Sequence, residues 1–128
     1  MTKDEAIERW KTSGEKNLTI SRDMMRLKHY DWALFMGQLA LEKFLKGLII
    51  KNIAEVPPPI HDLLKLAKLA QLSVDEAKVK NMNQITRFHI QARYDDIKYE
   101  LYKQATPAFT KTYMKIIEEY ALWLTKRY

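Results

Sequence analysis

Three short groups of residues have the types and spacing to do chemistry. Arg93, Tyr94 and Asp96 stand together, and a guanidinium can fork onto a phosphate while a phenol stacks on a base. A purely structural role is also open to them, with Arg93 pairing Glu42 or Asp96 to tie helices together and Tyr94 packed in the core. His61 and Asp62 form the second group. A histidine can serve as general acid or base near neutral pH. The same two residues also suit a helix start, where an aspartate complements the helix dipole. Glu42, Lys43 and Lys46 are the third group, charges set into the most apolar stretch of the chain. They read as a buried ion pair, as a cleft, or as a solvated face, the last because Glu42 and Lys46 stand at i, i+4 in the favourable order for an exposed helix.

A more diffuse signal runs from Lys78 to Arg93, which holds Lys78, Lys80, Arg87, His89 and Arg93 and no acid. With Phe88 and Tyr94 interleaved, it could follow a phosphate backbone. The plainer alternative is the solvated basic face of one helix.

Other chemistries are excluded or unsupported. The chain has no Cys, so disulfides, thiolate metal sites and cysteine nucleophiles are out. The three Gly are isolated and build no phosphate-cradling loop. Ser13, Ser21 and Ser73 lie in no nucleophile-elbow context. The three His are far apart in sequence, and Asp95-Asp96 alone is a poor magnesium site, so neither a metal nor a cofactor is expected.

Those groups must be positioned by a modest frame. The 128 residues suffice for one domain with a single hydrophobic core. At 47% hydrophobic and 30% charged, the composition is that of a folded globular protein. Three Gly and four Pro leave few turns, which favours a few long helices over many strands. A net charge of +6 suits an anionic partner, and equally a basic protein without one. The most apolar stretch, Leu39 to Ile50, is interrupted by Glu42, Lys43 and Lys46, so no membrane span is expected. The charged first ten residues do not read as a signal peptide, which leaves the cytoplasm as the expected location.

Helical periodicity and capping signals divide the chain. Thr2 and Glu5 form a capping box that opens a helix to about Lys28, with Ile7, Trp10, Gly14, Leu18, Ser21 and Met25 inward. Gly14 and Ser21 are small enough to admit a second helix closely. Asp31 is the expected N-cap of the next helix, Trp32 to about Lys51. Its apolar face is too wide for one stripe, so it is expected to be buried on two sides. Pro57, Pro58 and Pro59 enforce an extended connection. A short helix follows from about His61 to Gln71, and a Ser73-x-x-Glu76 capping box opens another toward Ala92. Arg93 to Ala105 reads equally as helix or turn. Thr106-Pro107 starts the last helix, by a capping threonine and a proline at the first helical position. The expected architecture is all-α, an up-and-down antiparallel bundle of about five helices.

Three blocks of sequence resemble the HEPN family, helical proteins of higher eukaryotes and prokaryotes associated with nucleotide binding. His29-Tyr30-Asp31-Trp32-Ala33 followed by Gln38-Leu39-Ala40-Leu41-Glu42-Lys43-Phe44-Leu45-Lys46 is similar to that family's signature second helix. Pro57 to Leu64 is similar to its proline turn and His-Asp-Leu. Ala92-Arg93-Tyr94-Asp95-Asp96 is similar to its Ala-Arg-Tyr-Pro-Asp. The blocks occur in the family's order between Lys28 and Asp96. The resemblance implies a bundle that pairs into a homodimer in a nucleotide-related setting. Many such proteins partner a minimal nucleotidyltransferase, and others are metal-independent ribonucleases of toxin-antitoxin type. The ribonucleases share an Arg-x(4–6)-His motif that is missing here after Arg93 and Arg87. Arg22 and His29 match it formally, but at the end of the first helix.

Three readings follow. The leading one is a homodimeric, non-nuclease partner of a nucleotidyltransferase that binds nucleotide or RNA. Its site residues would be Glu42, Lys43, Lys46, His61, Asp62, Arg93, Tyr94 and Asp96. The second is an RNA endonuclease that uses His61 with Arg93. The third is a scaffold with no nucleotide role.

Overall fold

The computed structural model describes the backbone throughout and the side chains of all residues but 95–98. Six helices run among the described residues, with no strand: α1 (Lys3–Arg26), α2 (Tyr30–Ile53), α3 (Leu63–Leu69), α4 (Glu76–Arg93), α5 (Asp95–Gln104) and α6 (Pro107–Thr125). The helix beyond the expected five is α5, in the segment whose sequence reads equally as turn or helix. Asp95, Asp96 and Ile97, within that segment, lie outside the described side chains.

Local chemistry explains most of the boundaries. Thr2 accepts from the Glu5 amide at 3.1 Å and so caps the helix as expected, while the Glu5 carboxylate accepts from the Thr2 hydroxyl at 3.2 Å instead of the Thr2 amide of a full capping box. Thr106 likewise accepts from Phe109 N at 3.2 Å, with Pro107 next to it. Two expected caps fall elsewhere. The N-cap of α2 is His29 rather than Asp31, because Lys28 (φ 65°) turns the chain sharply enough for the helix to begin at Tyr30. Asp31 instead accepts from the neighbouring Trp32 amide. The N-cap of α4 is Asp75 rather than Ser73, and its carboxylate accepts from Lys78 N at 2.8 Å. Asp62, not His61, caps α3 and accepts from Lys65 N at 3.1 Å.

Helix α2 is central. It packs against each of the other five helices, and buried residues from Ala33 to Ile49 lie all around it. Against α1 the approach is close because Gly14 has no side chain: a Cβ there would lie 2.5 Å from the Phe44 ring. Ser21 on α1 donates to the Ala33 carbonyl of α2 at 2.7 Å in the same seam. On the far side Gly37 admits Ile117 of α6. The core is one contiguous cluster that includes Phe44, Leu48, Leu66, Ile85, Phe88, Leu101 and Leu124.

Candidate functional site

Three buried polar residues on α2 are spaced by single turns. Gln38, Glu42 and Lys46 stand at i, i+4 and i+8, so one helix carries them as a ladder. All three are buried, Glu42 to 4% exposure, so the solvated-face reading of Glu42 and Lys46 fails. The reason is the width of the apolar surface of α2, which leaves no side open to water. Lys46 Nζ donates to Glu42 Oε2 at 2.9 Å and lies 5.7 Å over the Trp10 ring.

Two other segments bring histidines to this ladder. The stretch before α3 is held by Gln38 Nε2 donating to the His61 carbonyl at 3.0 Å and by Leu63 N donating to Thr86 Oγ1 of α4. His61 thereby sets its Nδ1 2.9 Å from Glu42 Oε1. From α4, His89 sets its Nδ1 3.1 Å from Gln38 Oε1. The two imidazoles stack with centroids 3.9 Å apart, and Phe35 covers the other face of His89 at 5.4 Å. One turn beyond His89, the Arg93 guanidinium reaches its Nε2 at 3.4 Å.

The proton positions follow from the partners. Gln38 spends its amide hydrogens on Glu42 and the His61 carbonyl, so its oxygen must accept, and His89 Nδ1 carries the proton. Glu42 also accepts, so His61 Nδ1–H donates to it. His89 is thereby left with its Nε2 toward Arg93. His61 is the exposed member, with 42% of its side chain open to solvent. For Glu42, burial alone would raise the carboxyl pKa, yet hydrogen bonds from Lys46, His61 and Gln38, with the charge of Lys46, outweigh it and hold the group below its ordinary value. Burial pushes His89 down, helped by His61, Arg93 and Lys46 and opposed by Glu42.

The cluster thus joins Glu42, Lys46, His61 and Arg93 from the expected set and adds Gln38 and His89. The remaining expectations separate from it. Lys43 turns to α1 and donates to Ser13 Oγ at 2.7 Å. Asp62 serves as a cap. Arg93 does not pair with Glu42, whose oxygens are taken by Lys46, His61 and Gln38. Tyr94 is 61% exposed at the α4–α5 junction rather than packed in the core. Asp96 lies outside the described side chains. The basic run also divides. Phe88 is fully buried against Phe109 and Tyr113, His89 faces the cluster, and Lys78 sits over Trp123. Arg22, from the formal Arg22–His29 match, forms a two-pronged pair with Glu118 at 2.6 and 2.8 Å.

Distance along the sequence does not translate into distance in space for two of the three histidines. His61 and His89, remote in the chain, are in ring contact, and with Glu42 they bring three donor atoms within 4.8 Å of one another. The usable signal lay in the i, i+4 spacings Gln38–Glu42–Lys46 and His89–Arg93 on helices that must face one another.

Among families of known proteins, the model of one, described as the HEPN domain, matches residues 7–126. No curated protein matches the sequence. Among solved structures, the crystal structure of TT1696 from Thermus thermophilus is similar, with a TM-score of 0.78 at 22% identity over 95% of this chain and 98% of that one. At that identity the likeness concerns the fold.

Proposed function

This chain belongs to the HEPN domain family, and from that premise we propose that it binds nucleotide or RNA at the cluster of His61, His89 and Arg93. In this reading it works as a homodimeric, non-nuclease partner of a minimal nucleotidyltransferase. The observation that carries the binding site is the buried Glu42–Lys46 pair, joined through His61 and Gln38 to a surface that ends in Arg93. A buried ion pair contributes little net stability beside an apolar substitute, so a pair held in place by several partners fits a site better than a brace. The local charge supports an anion. Lys46 already neutralises Glu42, and Arg93 adds a guanidinium with the geometry to fork onto phosphate. Tyr94, exposed next to Arg93, offers a ring on which a base can stack.

Fluorescence anisotropy with labelled RNA and labelled ATP, in EDTA, tests this. Wild-type protein should give a saturable, salt-sensitive signal that Arg93→Ala and His61→Ala weaken. Absence of binding, or binding untouched by both variants, overturns the assignment.

One observation favours the endonuclease reading as a second. Glu42 holds His61 by Nδ1 and leaves Nε2 free at the surface, the arrangement of an oriented general base. Arg93 is the nearby cation that could offset negative charge developing at phosphorus. RNA cut by wild type in EDTA and left intact by His61→Ala would favour this reading, and RNA intact in both would remove it.

A further inference from the structure

We propose that Glu42, His61 and His89 form a binding site for a divalent transition-metal ion of the zinc class. Their three donor atoms lie within 4.8 Å of one another, beside Phe35, whose ring stacks on His89 at 5.4 Å. Two imidazoles and one carboxylate are the donor set that borderline ions take, and three protein ligands leave coordination positions open. Metal–donor bonds of about 2.1 Å bring ligands to roughly 3 Å from one another. On metal binding the half-exposed His61 gives up its Nδ1 hydrogen bond to Glu42 and turns an unprotonated ring nitrogen toward the ion, any second proton being released to solvent.

The surrounding groups are those that ready a ligand. Gln38 fixes the ring of His89 through Nδ1 and leaves the Nε2 lone pair available. Lys46 grips the second oxygen of Glu42, so the carboxylate is oriented before an ion arrives.

Two cations bear on the choice of ion. Lys46 sits on the far oxygen of Glu42, and Arg93 approaches His89 Nε2 at 3.4 Å from an exposed position, so it must swing outward. Their charge disfavours hard ions held by electrostatics alone. It leaves ions such as Zn²⁺ and Co²⁺, whose bonds to imidazole are strong, ahead of Mg²⁺ and Ca²⁺, which seek all-oxygen shells.

The proposal is independent of nucleotide or RNA binding, since uptake is read with no nucleic acid present. Metal-stripped protein is titrated with Co²⁺ and followed by visible absorption, with Zn²⁺ and Mg²⁺ as competitors, beside His61→Ala and His29→Ala. The expected result is one Co²⁺ per chain with ligand-field bands that Zn²⁺ abolishes and Mg²⁺ does not. His61→Ala should weaken binding by about tenfold or more, and His29→Ala, at an exposed histidine elsewhere, should leave it unchanged. Circular dichroism checks that His61→Ala is folded. Should it not be, ring-proton shifts of His61 and His89 in wild type on adding Zn²⁺ decide the matter. No saturable uptake, uptake indifferent to His61→Ala, or ring signals that Zn²⁺ leaves in place would overturn the assignment.

Discussion

At the scale of residues, the cluster depends on Glu42, which accepts from Lys46, His61 and Gln38 at once. Glu42→Gln strands a buried ammonium. It should cost about 3 kcal/mol, the range seen when one partner of a buried pair is removed, whereas Glu42→Leu with Lys46→Met should recover most of the loss. Chemical denaturation of the three proteins checks this. Stability should also fall with acid in two stages. His89 is held below its ordinary value of 6.5, so above that pH both states are neutral and stability is full. As pH drops through and below 6.5, the unfolded chain takes up a proton that the folded one refuses, and stability declines. Glu42 is held below 4.5, so its contribution is present above that pH and is lost as pH falls through the lower folded value. Urea midpoints at pH 7.5, 5.5 and 4 should descend, and His89→Gln should flatten the step between the first two. The residue types of this site were legible in the sequence, and their burial was not. Glu42 and Lys46 satisfied the i, i+4 rule for an exposed pair just as well, and only the two-sided apolar surface of α2 distinguishes the cases.

At the scale of elements, the helices follow from caps and periodicity except where two signals compete. Ser73 and Asp75 both offer N-caps two residues apart, and a serine with Glu three residues on looked the stronger. The helix begins at the aspartate, with Met82, Ile85 and Phe88 meeting the core in phase. Tertiary packing made that choice, and no window of a few residues contains it. The α1–α2 seam was better declared, because small residues at inward positions of a long helix mean close approach. Gly14→Ala tests it. A methyl at an exposed helical site would stabilise by roughly 1 kcal/mol through propensity, but here it would meet the buried Phe44 ring at 2.5 Å. The variant should therefore be less stable than wild type by about 1–3 kcal/mol, read as a lowered melting temperature. An unchanged or higher melting temperature would mean that the seam is looser than it looks.

At the scale of the whole molecule, the bundle places the polar cluster where α2, α4 and the lead into α3 converge, on a chain of net charge +6. The proline connection that the sequence announced delivers His61 to Glu42 far behind it and His89 far ahead, a convergence that reading along the chain could not see. Nucleotide or RNA should therefore meet the protein at this place. The most direct test is an NMR titration of the labelled protein with a short single-stranded RNA in EDTA at moderate salt. Amide and ring shifts should concentrate on Glu42, His61, His89, Arg93 and Tyr94 and saturate together. Shifts that concentrate instead on the groove between α1 and α6, around Arg22 and Lys126, or a spectrum that does not respond at all, would contradict it.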